Sequence, residues 1–243
     1  MTPTAPVQPH HIWVARHKVG TTLLVLLVVA LACGAILGNI HGSLTTAAGI
    51  TALVALAVTV ASLVWLHLQP TGLSPVRDPV SQYGITSFRA GYRGATIAFA
   101  AAGLALAAGI SQALGGRGLA VVILLVVFAI ARVAINWFPM DPPGAKWTRT
   151  GWMHFVLAFA AFAAVLAAAE VLGAVLSNPG TWHALAPVSQ ALGYALTACL
   201  ALFGLAQSVP PLRARFGAIE RGFYLFAITW CAVFAAACAA GVR

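Results

Sequence analysis

The chain has 243 residues, of which 61% are hydrophobic and 7% charged, and its mean hydropathy is +0.96. A typical soluble domain is roughly 45–50% apolar and about 25% charged, so a water-soluble globule, a disordered chain, a nucleic-acid binder and a secreted disulfide scaffold are all excluded, and a lipid bilayer is the expected solvent. The net charge of +9 sets 13 Lys and Arg against only Asp78, Asp141, Glu170 and Glu220; in a membrane protein such an excess reports topology.

A spanning helix needs about 20 mostly apolar residues, and seven segments qualify: 19–40, 47–68, 94–114, 119–138, 151–176, 187–209 and 222–241. The expected fold is an all-α, polytopic transmembrane helix bundle. Residues 1–18 read as a polar tail, 19–40 as an additional N-terminal span, and 41–243 as a six-span domain. The apolar run of the first span is too long for a signal-peptide core of about 7–15 residues, so it is expected to be a retained anchor.

Placing the basic residues on this map orients it. Arg16 and Lys18 lie in the tail, Arg77, Arg89 and Arg93 in the 69–93 connection, Lys146 and Arg149 in the 139–150 connection, and Arg213, Arg215 and Arg221 in the 210–221 connection. With seven spans these all fall on one side, whereas the other side has Arg117 and Arg243. The positive-inside rule makes the N-terminus cytoplasmic and the C-terminus external. Trp13, Trp65, Trp137, Trp147 and Trp152 cluster at the same span ends, where amphipathic indoles favour the headgroup region. The expected location is the plasma membrane, multi-pass.

Small residues recur at four-residue spacing in Gly94, Ala98 and Ala102, in Ala101, Ala105 and Gly109, and in Ala160, Ala164 and Ala168. Such faces let helices approach closely in lipid; they read as contacts within one chain, with homo-oligomer contacts as the alternative. Cys33, Cys199, Cys231 and Cys238 lie inside spans without a paired spacing and read as small apolar fillers, not as metal ligands.

The polar exceptions gather toward the cytoplasmic side. In Arg77-Asp78-Pro79-Val80-Ser81-Gln82-Tyr83-Gly84, Asp78 reads as an N-cap, Pro79 suits the first helical position, and a short interfacial helix is expected over Pro79–Tyr83. In that turn Ser81 falls close to the Asp78 carboxylate, a pair suited to binding a headgroup or, with a base, to nucleophilic chemistry. Arg132 and Asn136 share one face of the fourth span, and Asp141 follows in a proline-rich turn. Arg132 sits about 9 Å inside the span end by helical rise. It reads either as a snorkelling side chain or as an intramembrane functional group, with Asp141 or an anionic ligand as its expected partner. His154 opens the fifth span. Glu170 lies about 28 Å deeper by the same rise and about 160° around the helix, so it falls outside this set, near the outer interface or in a transport role. Asp78, Ser81, Arg132, Asn136, Asp141 and His154 are thus the candidate ligand-binding residues. Ser81, His154, Asp78 and Asp141 are the catalytic candidates.

The succession Arg77 to Gly84 after a span, a Gly-rich third span, Phe138-Pro139-Met140-Asp141-Pro142 and then His154 resembles domain-of-unknown-function family 998, grouped with the Frag1-like membrane proteins. The resemblance covers residues 48–240, six spans, and implies a bacterial or archaeal polytopic membrane protein without an assigned reaction. Relatives linked to lipid remodelling tilt the expectation toward a lipid ligand, by analogy.

Two functions are therefore expected in competition. One is a protein that binds or moves a lipid or small amphipathic molecule at the cytoplasmic side. The other is a membrane-embedded lipid hydrolase or transferase using the Asp/Ser/His set, resembling the alkaline ceramidase and progestin-receptor superfamily. A catalytic zinc would need three protein ligands; His67 and His154 with Asp78 or Asp141 are the available donors, and the last span has no His, so neither a metal nor a cofactor is expected. A retinal pump is excluded because the last span has no lysine for a Schiff base.

Overall fold

The computed structural model describes residues 44–241. The tail 1–18 and the expected span 19–40 lie outside the described residues. What is described is all helical: α1 (Leu44–His67), α2 (Arg89–Leu114), α3 (Leu119–Ala134), α4 (Arg149–Leu176), α5 (Ala186–Ala206), a single turn α6 (Pro210–Arg213) and α7 (Phe216–Ala239). Short 3-10 turns occupy Val80–Ile85, Gly115–Gly118, Ile135–Trp137 and His183–Leu185.

Five helical stretches are long and apolar enough to cross a membrane, and one of them, Arg89–Trp137, covers both α2 and α3. At 1.5 Å per residue a straight helix of that length would greatly exceed a bilayer. Instead the chain reverses at Gly115, whose φ of 56° suits a residue without Cβ. α3 then returns along α2, with the Phe99 and Phe128 rings 4.9 Å apart.

Neighbours in sequence are neighbours in space. α1 packs on α2, α2 on α3, α3 on α4 and α4 on α5, while α7 closes the ring against α1 and α5 and also touches α2. The closure is tight. A Cβ on Gly49 of α1 would strike the α7 backbone at Ala235 and Ala239, so this glycine permits close backbone approach. The alanine stripes face inward in part: Ala98, Ala102 and Ala168 are fully buried and Ala164 nearly so, whereas Ala101, Ala105 and Ala160 are half-buried. On the outside, Leu104, Ile123, Val127, Ile130, Phe159 and Leu225 are exposed, as an apolar surface in lipid requires.

Two polar pairs tie neighbouring helices together. Ser189 Oγ donates to the Ala169 carbonyl at 2.7 Å and accepts from Trp230 Nε1 at 2.9 Å, tying α4, α5 and α7 together. Glu170 accepts a hydrogen bond from Thr197 Oγ1 at 2.6 Å across α4 and α5.

The helix ends differ from the expected spans where charge was taken to mean loop. α2 begins at Arg89 instead of 94, and α7 at Phe216 instead of 222. The α7 start has a physical cause: its Gly217 and Ala218 N–H groups, which lack intrahelical partners, donate to the carbonyls of Arg77 (3.3 Å) and Val76 (2.9 Å). The 74–85 segment therefore caps α7.

Candidate functional site

Antiparallel neighbours bring the connections 68–88, 138–148 and 207–215 to one end of the bundle, and the polar residues of interest meet there. Asp78 is not the expected N-cap. Its carboxylate reaches back to the Ser74 N–H at 2.6 Å, and the helical turn is Val80–Ile85, preceded by Pro79. The acceptor at the start of that turn comes from α7: Val80 N–H donates to Glu220 Oε2 at 2.6 Å, and the Ser81 N–H also bonds this carboxylate. Arg221 completes the dock, with Nη1 donating to the carbonyls of Asp78 (2.9 Å) and Gly217 (3.0 Å) and Nε donating to His67 Nε2 at 2.7 Å. His67 gives its other ring nitrogen to the Leu63 carbonyl at 2.6 Å.

Arg132 is buried, but Asp141 is not its partner. The guanidinium lies against the Tyr224 and Phe99 rings, 5.3 and 5.8 Å from their centroids, and it hydrogen-bonds the Tyr224 hydroxyl. Tyr92 and Glu220 are also within its electrostatic reach. Aromatic faces attract a guanidinium whose hydration has been removed. Asn136 turns its amide onto the Arg132 and Val133 carbonyls, 3.2 and 3.0 Å away, closing the end of α3, and its Oδ1 accepts from Thr96 Oγ1 at 3.0 Å.

Asp141 instead closes its own connection. Its carboxylate accepts the Thr148 N–H at 2.8 Å and the Thr148 hydroxyl at 2.7 Å. Thr148 Oγ1 in turn accepts from the Gly151 N–H at 3.0 Å and caps α4. These two bonds, with His154 assisting, hold the Asp141 carboxyl below the usual aspartate range. A Cβ at Gly151 would fall on the Asp141 carboxylate.

His154 is 6% exposed. Its Nδ1 lies 2.7 Å from the Phe138 carbonyl oxygen, which can only accept, so Nδ1 carries the proton and the neutral ring leaves Nε2 as an acceptor. Nε2 is buried and has no partner. An unsatisfied buried polar atom is costly, and the His154 side chain belongs to the lining of a cavity.

The cavity has a volume of about 450 Å³. Its walls come from the first half of α4, the end of α5, the start of α7 and the 140–147 connection. Trp147, Phe155, Phe159, Phe162, Phe203 and Phe216 make it largely aromatic. Its polar groups are Ser81, Asp141, His154, Gln207 and Glu220. A smaller recess of about 70 Å³ adjoins it across Ser81, Met140 and His154 and is lined also by Arg89, Arg93 and Asn136.

Of the six residues singled out by sequence, Ser81, Asp141 and His154 line the main cavity, and Asn136 lines the recess. Asp78 and Arg132 line neither. Ser81 donates its hydroxyl to Met140 Sδ at 3.3 Å. Glu220 was missed, because it was assigned to a connection; the helical spacing of Phe216, Ile219 and Phe223 was the available signal. Among the described residues no three His, Cys, Asp or Glu side chains are grouped to hold a metal ion.

No curated protein and no solved structure matches this chain. Residues 53–237, which take in α2, α3, α4 and α5 whole and most of α1 and α7, match the family model for a protein of unknown function (DUF998), and the chain belongs to that family.

Proposed function

We propose that this integral membrane protein binds, and in doing so holds or moves, a single small amphipathic molecule or lipid in the α4–α5–α7 cavity. The observation that carries this reading is an aromatic-walled space of about 450 Å³ lined by His154, whose buried Nε2 has no partner among the described residues. Ligand sites are typically apolar concavities of about 300–1,000 Å³ with a few polar groups fixing orientation. The exposed Trp137, Trp147 and Trp152 at the same end favour a headgroup depth for its mouth. Together with the basic connections they support a cytoplasmic placement in a seven-span plasma-membrane topology.

Hydrolase or transferase chemistry is the second reading, supported by Ser81 and His154 lining one cavity. The serine hydroxyl is directed at Met140, not at the imidazole, and this favours binding over nucleophilic activation.

The test is native mass spectrometry of protein released gently from its own membrane. A defined small-molecule or lipid adduct is expected on the unmodified chain. Ala158→Phe, which puts a ring into the cavity wall, is expected to remove it while leaving the fold intact by circular dichroism. No selective adduct, or one indifferent to Ala158→Phe, would refute the proposal.

A further inference from the structure

The chemistry of the ligand's polar end follows from which hydrogen-bonding roles the cavity leaves open, and this step rests on the binding reading above. His154 Nε2 offers a lone pair, because Nδ1 is committed as a donor to Phe138. Glu220 uses Oε2 to accept from Val80, and its carboxyl group lines the cavity. Asp141, on the same wall, is likewise an acceptor. Among the described residues no lysine or arginine lines the main cavity. Arg132 and Arg221 act electrostatically on Glu220 but are not part of the cavity lining. Arg89 and Arg93 stand in the neighbouring small recess, exposed to solvent.

A site whose open roles are mostly acceptors takes a donor. An anionic head placed there would face the Asp141 carboxylate and a lone pair, and like-charge contact is costly. The volume suits one tail: about 450 Å³ holds on the order of fifteen water-sized groups at ~30 Å³ each, enough for one medium alkyl chain.

We infer that the ligand is a single-chain amphiphile whose head donates hydrogen bonds, an amine or a hydroxyl, to His154 Nε2 and the neighbouring carboxylates, with its chain among the Phe155, Phe159, Phe162 and Phe203 rings.

The experiment titrates the full chain in a nonionic environment at neutral pH with four decyl compounds: decylamine, decanol, decanoate and decyltrimethylammonium. Decylamine and decanol are expected to bind at least about tenfold more tightly than the other two, the size of one well-placed hydrogen bond. His154→Phe should weaken both donors and leave decyltrimethylammonium unchanged. Glu220→Gln, which keeps an acceptor for Val80, should weaken decylamine more than decanol and so separate the cationic source from the neutral one. Decanoate equal to decanol would overturn the inference and assign the head to the arginine-lined recess. Unchanged donor affinity in His154→Phe would overturn it as well. The unmodified protein decides alone if that variant does not fold. Weak binding by all four compounds would refute the cavity reading itself, whereas tight but head-blind binding would refute the donor assignment alone.

Discussion

Removing the Glu220 carboxylate should undock the 74–85 segment from α7. The carboxylate is 4% exposed and accepts the buried Val80 N–H at 2.6 Å. In Glu220→Ala that N–H loses a charged acceptor and stays away from water, since Val80 is 1% exposed. A hydrogen bond to a charged group contributes about 1.5–3 kcal/mol, and an orphaned buried donor about 1–3. The two describe the same loss, so we expect about 2–3 kcal/mol, or roughly 30- to 150-fold in the docking equilibrium. Glu220→Gln keeps an acceptor in place and should cost about 1 kcal/mol, the charge assistance alone. Unfolding in mixed maltoside and dodecyl sulfate micelles, followed by tryptophan fluorescence, measures the stability. Tryptic cleavage after the exposed Arg77 measures the docking. If Glu220→Ala falls within about 0.5 kcal/mol of the unmodified chain and Arg77 is cut no faster, the capping role is wrong.

Three further expectations can be checked separately. Ser189→Ala should cost about 1–2 kcal/mol, because it leaves the fully buried Trp230 indole N–H without its acceptor; in a Trp230→Phe background the same change should cost less, and equal costs would dismiss the network. The folded Asp141 carboxyl titrates below its unfolded value of about 3.9, so closure of the 141–148 connection is complete above that pH and lost as the pH falls through the lower folded pKa. A carboxyl carbon NMR titration should place the midpoint below 3.9 and move it upward in Thr148→Ala and in Gly151→Ala; an unmoved midpoint would contradict the assignment. For topology, a cysteine at Arg243 should react with an impermeant thiol reagent on intact cells and one at Ser87 should not; the reverse would invert the map.

Much of the architecture could be read from the chain because lipid imposes it. Runs of about 20 apolar residues have no other stable fate, and the described long helices fall within six residues of the expected spans at either end. The errors occurred where a charge was equated with an interface. Glu220 and Arg221 were placed in a connection, yet the carbonyls of Val76 and Arg77 cap α7 upstream of them and hold both inside the helix. Arg132 was paired by depth with Asp141, but aromatic faces from α2 and α7 receive it, a contact among residues 33 or more apart that no local pattern encodes. Asp78 had the right type for a cap and spent its carboxylate on Ser74, since the remote Glu220 had taken the Val80 N–H. The convergence of Ser81, Asp141 and His154 was anticipated from side-of-membrane reasoning alone. The aromatic wall opposite them, supplied by α5 and the start of α7, was not.

Where an amphiphile resides in this bundle is the question on which the account depends, and photolabelling answers it. A decylamine carrying a diazirine on its chain, activated on the full protein and mapped by peptide mass spectrometry, should label residues 155–162 and 200–207 in a saturable way. Excess decanol or the Ala158→Phe substitution should suppress that labelling. Labels spread evenly over the lipid-facing residues of α1, α3 and α7, indifferent to both competitor and substitution, would contradict the proposal that the cavity is a binding site.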